Sequence, residues 1–177
     1  PGVGSGRGVW WPTMRILIIN PNTSQSMTDK IQMVADQVSR KDTRITAICL
    51  ESGPVTIESS YDEAYAIGPT VDLVREALQE DYDAIILACF CEIGVEAARE
   101  IAAIPVFGLE EVTLATAITL GSKFGVLTEK RPRVAMKERH VRWYGLLERM
   151  ASIRPLELSV AELDREPERT KAAGMDL

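Results

Sequence analysis

Arg15-Ile16-Leu17-Ile18-Ile19, followed at once by Asn20-Pro21-Asn22-Thr23-Ser24, is the stretch that decides the fold. An unbroken apolar run of this length, bounded by turn residues, fits a strand covered on both faces, as in a parallel sheet. Asn, Pro and Ser end the strand, and Ser24 or Ser26 stands where a helix cap is wanted. Met27, Ile31, Val34, Ala35 and Val38 then recur at helical spacing, predicting a helix to about Ser39.

The alternation continues outward. Residues 44–50 read as a second strand with Cys49 in its core, and residues 61–80 as a helix, with a break expected at Gly68-Pro69. Residues 83–88 are a third buried strand ending at Cys89, residues 92–101 a helix, and residues 105–108 a short fourth strand. Strand and helix in turn are the pattern of an α/β fold with a parallel sheet. From Glu110 the pattern restarts, with helices over 111–120 and 136–150 and strands over 123–127 and 153–158. The reading is two α/β lobes, 14–110 and 111–177, divided near Leu109 to Val112. The polar stretch 161–177 offers no further strand, so the second lobe reads as incomplete. Residues 1–13 are Gly-rich, lack the apolar centre of a signal peptide and precede Met14, so they read as an upstream extension outside the fold.

Composition excludes several classes. The chain has 177 residues and is 46% hydrophobic, enough for one large core or two small ones. Its net charge of −6, with both signs mixed, argues against nucleic acid or an anionic membrane as partner. No apolar run approaches the roughly 20 residues that span a bilayer. Three cysteines, Cys49, Cys89 and Cys91, do not make a disulfide framework, which points to a reducing, cytoplasmic setting.

Ligands of open α/β sheets bind beyond the carboxyl ends of the strands. Asn20, Asn22, Thr23 and Ser24 follow the first strand and offer uncharged donors and acceptors beside a helix N-terminus, suited to a carboxylate or a polarised carbonyl. The same residues also make an ordinary capped turn. Cys89 ends the third strand just ahead of a helix, where the helix dipole favours thiolate; the alternative is an inert buried thiol. Cys91 follows on the same side of an extended strand, and Cys-x-Cys is not the redox spacing. His140 is the single histidine and sits among Lys137, Arg139 and Arg142, so a solvated or partly packed role is expected and a Ser-His-Asp arrangement is poorly supported. There is no zinc-ligand spacing, phosphate loop or dinucleotide fingerprint, and thiol acid/base chemistry remains.

At this point Ile18 to Ser24 with Met27-Thr28, Gly53 to Ala64, Ala88-Cys89-Phe90 through Gly94 to Glu100, Pro105 to Glu111 and Leu120 to Thr128, in that order, resemble the hydantoin and allantoin racemases of the aspartate/glutamate racemase superfamily. The resemblance covers about residues 15–169. It implies two pseudo-symmetric α/β lobes with the site between them, no cofactor, a small-molecule substrate and a homo-oligomer. It further implies a thiolate that takes the proton from a stereogenic carbon and an opposed thiol that returns one. Cys89 matches the first thiol, while Asn20, Thr23 and Ser24 match the loop that holds the substrate's polar edge; Asn22, Phe90, Glu110 and Thr128, which also follow strand ends, are expected to join them in the crevice. Three departures stand out: Cys91-Glu92-Ile93 replaces a small or acidic residue, Asp and Pro; Thr128-Glu129-Lys130 replaces a Thr-Thr-hydrophobic turn; and no Gly-Cys-Ala-Gly-like segment carries a second cysteine. The expected activity is racemisation of a 5-substituted hydantoin or of allantoin. The alternatives are maleate-type isomerisation, decarboxylation through one thiol, or a truncated fold without catalysis.

Overall fold

β1 (Met14–Asn20) lies inside a four-stranded sheet of order β2-β1-β3-β4, whose neighbours are all parallel. The computed structural model describes residues 13–175, so all but the last residue of the expected extension over 1–13, and the last two residues of the chain, lie outside the described part. The apolar run is buried as read: Leu17, Ile18 and Ile19 are all in the core, each worth about 1.5–3 kcal/mol of burial. β2 is Thr43–Cys49, β3 Ala84–Leu87 and β4 Val106–Gly108. α1 (Gln25–Val38), α2 (Ser60–Ala77) and α3 (Val95–Ile101) connect them. α4 (Leu109–Leu120) leads to a second, two-stranded parallel sheet of β5 (Phe124–Thr128) and β6 (Met150–Pro155), joined by α5 (Val134–Trp143). α6 (Val160–Arg165) and α7 (Pro167–Met175) follow. The α/β architecture with parallel sheets is therefore as expected. Among the described residues no helix is long and apolar enough to cross a membrane.

Several boundaries move for physical reasons. Ser24 caps α1, its hydroxyl accepting from the Met27 N–H. α2 continues through Pro69 instead of breaking. Its buried face, Ala66, Thr70, Val74 and Ala77, is continuous across that point, and the Thr70 hydroxyl bonds the Ala66 carbonyl at 2.7 Å. Tertiary packing here outweighs the roughly 3 kcal/mol that an interior proline costs. α5 stops at Trp143, because Gly145 turns left-handed with φ +69°, and β6 starts at Met150. Cys49 is not core: it ends the edge strand β2 half-buried, its thiol 3.5 Å from the Gln25 side-chain oxygen.

The turn after β3 is the unusual segment. Glu92 adopts φ +54° and Gly94 φ +73°, so two left-handed residues delay α3 until Val95. This conformation swings the Glu92 carboxylate onto the start of α4, where it accepts the Glu111 N–H at 3.0 Å. Gly108 gives it room, since a Cβ at that position would overlap the carboxylate. Gly108→Ala is therefore expected to lose about 1–3 kcal/mol of unfolding free energy by overpacking and loss of the cap. Urea denaturation checks this, and an unchanged midpoint would show that the contact is dispensable.

Candidate active site

Three strand ends converge on one cavity of about 450 Å³. Asn20 and Asn22 come from the end of β1, Cys89, Phe90 and Cys91 from the turn after β3, and Thr128 and Glu129 from the end of β5. α1 adds Lys30, and α6 adds Val160, Leu163 and Asp164. The loops hold one another: Leu50 N–H bonds Asn22 O at 3.0 Å, Thr23 N–H bonds Pro54 O at 3.0 Å, and Ala88 N–H bonds Ile19 O at 2.8 Å.

The expected substrate positions divide. Asn20, Asn22, Cys89, Phe90 and Thr128 line the cavity. Thr23, Ser24 and Glu110 are not among the lining residues. Thr23 bonds Pro54, Ser24 is used as the α1 cap, and Glu110 is wholly buried behind the cavity wall. Asn20 spends its amide donors on Asn22 Oδ1 at 2.9 Å and Thr28 Oγ1 at 3.0 Å, so it fixes the loop. The Asn22 amide meets the Met27 sulfur at 3.8 Å, a weak contact that leaves donor capacity for a ligand.

Cys89 does not sit against a helix N-terminus. The left-handed turn separates it from α3, and the expected depression of its pKa by the helix dipole is not found. Its thiol is pushed well up instead, first by a hydrogen bond with Cys91, then by burial and by charge on Cys91. The Cys91 thiol moves down. The Cys89 hydrogen bond leads; burial opposes it, and Lys137 and Arg133 reinforce it. The two sulfurs meet because Phe90 and Cys91 form a turn after β3, with Glu92 N–H bonding Cys89 O at 3.3 Å, rather than an extended strand.

Behind this pair lies a buried ionic cluster. Arg133 Nη2 donates to Cys91 Sγ at 3.1 Å and Lys137 Nζ stands 3.9 Å from the same atom. Arg133 is also held by Glu63, and by Glu129 at 3.0 Å, while Lys137 is held by Glu110 at 3.3 Å. The Lys137 ammonium lies 4.5 Å over the Phe90 ring, which occupies one face of that aromatic. His140 is partly packed, as expected, and its Nδ1 is 2.7 Å from Glu110.

Residues 16–176 match the family described as Asp/Glu/Hydantoin racemase. The chain belongs to this family. It is 37% identical over 156 residues to a hydantoin racemase of Pseudomonas sp. (strain NS671), covering 88% of this chain and 62% of the relative. A hydantoin racemase of Rhizobium meliloti is 32% identical over 158 residues, covering 89% of this chain and 66% of that protein. The chain thus spans just under two thirds of the length of these relatives. The allantoin racemase from Klebsiella pneumoniae superposes with a TM-score of 0.87 at 29% identity, over 92% of this chain and 68% of that one. The maleate isomerase from Pseudomonas putida S16, at TM-score 0.64 and 17% identity over 82% of this chain and 65% of that one, shares the fold.

Within this racemase-family frame, reading the strand ends missed Lys30, Arg133, Lys137 and Asp164. All four project from helical segments that fold over or behind the cavity. The i, i+4 spacing of Arg133 and Lys137 was the available signal, since it puts both on one helical face.

Proposed function

We propose that the cavity takes a five-membered cyclic amide, a 5-substituted hydantoin or allantoin, and that Cys89 transfers the proton at its stereogenic carbon. The observation that carries this is Cys89 at the end of β3, lining a cavity whose ionic groups are already matched. Lys30 pairs with Asp164 at 2.7 Å and Lys137 with Glu110 at 3.3 Å. A neutral ring with amide edges fits such a lining, whereas a dicarboxylate needs cations that are not already engaged. Membership of the family and the likeness to named hydantoin and allantoin racemases support the reading.

In this proposal the Cys89 thiolate takes the hydrogen from the ring carbon. The C–H electron pair moves onto the neighbouring carbonyl oxygen, and the Asn22 amide donates to that oxygen as its charge grows. Inversion requires a proton from the opposite face. Cys49 does not line the cavity, and Cys91 lies beside Cys89, so the three thiols of these 177 residues put acid/base sulfur on one side. A single enantiomer of a 5-substituted hydantoin in D2O is therefore expected to take up deuterium faster than it inverts, and Cys89→Ala to abolish the uptake. NMR with chiral chromatography reads both rates. Absence of exchange in both enantiomers would sink the proposal for this chain.

A further inference from the structure

Proton transfer by Cys89 alone, as in the proposed function, leaves Cys91 without a role, yet the buried cations are aimed at Cys91. Arg133 and Lys137 are 4% and 2% exposed. Burying two cations is expensive, and they are tolerated only where anions surround them. Glu63, Glu129 and Glu110 supply part of that compensation and hold the cations in place. The atom both cations share is Cys91 Sγ, at 3.1 Å from Arg133 and 3.9 Å from Lys137. Cys91 also packs against an apolar cluster with Leu50, Ile57, Ala66 and Ile93, but packing alone gives no reason for converging cations.

We propose that Cys91 is the resident thiolate of this site and the acceptor of the Cys89 proton, so that the two sulfurs form a relay on one face of the cavity. The relay rests on the reading of Cys89 as the base; the thiolate itself does not.

The groups facing the Cys91 sulfur act on its charge in both directions. Arg133, Lys137 and the Cys89 S–H favour negative charge on Cys91, while Glu63 on α2 and burial oppose it. Glu129 and Glu110 act at one remove, through Arg133 and Lys137, and His140 bonds the far side of Glu110. The direction found for the pair, Cys91 down and Cys89 up, agrees with the geometry. In the step itself the Cys89 S–H bond breaks and a Cys91 S–H bond forms, leaving negative charge on Cys89. That sulfur then takes the substrate proton, and no further reactant is needed. A thiolate of raised basicity is a stronger base once formed, which suits removal of a proton from carbon. Arg133 and Lys137 are positioning residues in this scheme.

Cys91 borders the main cavity and also a second one of about 380 Å³ on the side of His140 and Trp143, so small reagents reach it. The folded chain is treated with iodoacetamide at about pH 6, well below the ordinary thiol range, and the labelled peptides are mapped. Cys91 is expected to react about ten-fold or more faster than Cys49, which serves as internal reference. Ultraviolet thiolate absorbance at the same pH is expected in the wild type and lost in Cys91→Ser. Equal labelling of the two cysteines, or absorbance that survives Cys91→Ser, overturns the thiolate. For the relay, the rising pH limb of deuterium exchange is expected to move up by about one unit or more in Cys91→Ser, a shift that a packing role does not produce. An unmoved limb overturns the relay. Fast labelling of Cys91 with no exchange by the wild type at any pH overturns the Cys89 reading and the relay with it, and leaves the thiolate standing.

Discussion

Cys89→Ala is expected to lower proton exchange at the substrate carbon by about a hundred- to ten-thousand-fold, the usual contribution of a positioned acid/base group. The loss is expected in kcat rather than KM. Asn22, Phe90 and Thr128 line the cavity independently of the thiol, and a thiol that works in the transition state adds little to ground-state binding. The fold is expected to survive, since Cys89 sits in the turn after β3 and the change removes one sulfur atom. Comparison of exchange rates, with circular dichroism as the control for folding, decides it. Exchange at the wild-type rate in a folded Cys89→Ala would remove this thiol from the chemistry.

The second large effect is structural. Glu110→Ala is expected to cost about 3–5 kcal/mol of unfolding free energy, because breaking a buried ion pair leaves its partner uncompensated. Glu110 is fully buried and accepts from Lys137 at 3.3 Å and from His140 at 2.7 Å, while its second oxygen has no partner among the described residues. With it gone, the Lys137 ammonium keeps the Phe90 ring and Cys91 as its neighbours. Glu110→Gln preserves volume and a hydrogen-bond acceptor, so a smaller loss is expected. Urea denaturation of both variants tests the idea. Losses below about 1 kcal/mol for Glu110→Ala would mean that water reaches the cluster and the pair behaves as a surface one.

The sheet was legible because its signal is local. Leu17, Ile18 and Ile19 need no partner to be recognised as a buried strand, and the residues after β1 and β3 are cavity-lining because parallel neighbours in one sheet present their carboxyl ends together, while those after β5 reach the same cavity from the second sheet. The errors lie where distant segments decide the outcome. Pro69 stays helical because Val74 and Ala77 pack into the core against Leu17 and Ile19. Glu110, read as a substrate contact from its place after β4, is instead drawn inward by Lys137, 27 positions away. Glu92 takes a positive φ that its side chain does not advertise, and this delayed α3 enough to remove the helix dipole from Cys89. Charge at the thiols comes from Arg133 and Lys137, more than 40 positions downstream of Cys91, a relation invisible to any local window.

The Glu92 cap ties two distant pieces into a single cooperative unit. The turn that holds both thiols also supplies the carboxylate that fastens the start of α4 through Glu111. Fraying of that helix and loosening of the thiol turn are then one opening event, so amide protons of both segments should share a single exchange free energy. Catalytic competence would melt with α4, ahead of the sheet beneath it, and heat inactivation would track a local transition rather than global denaturation.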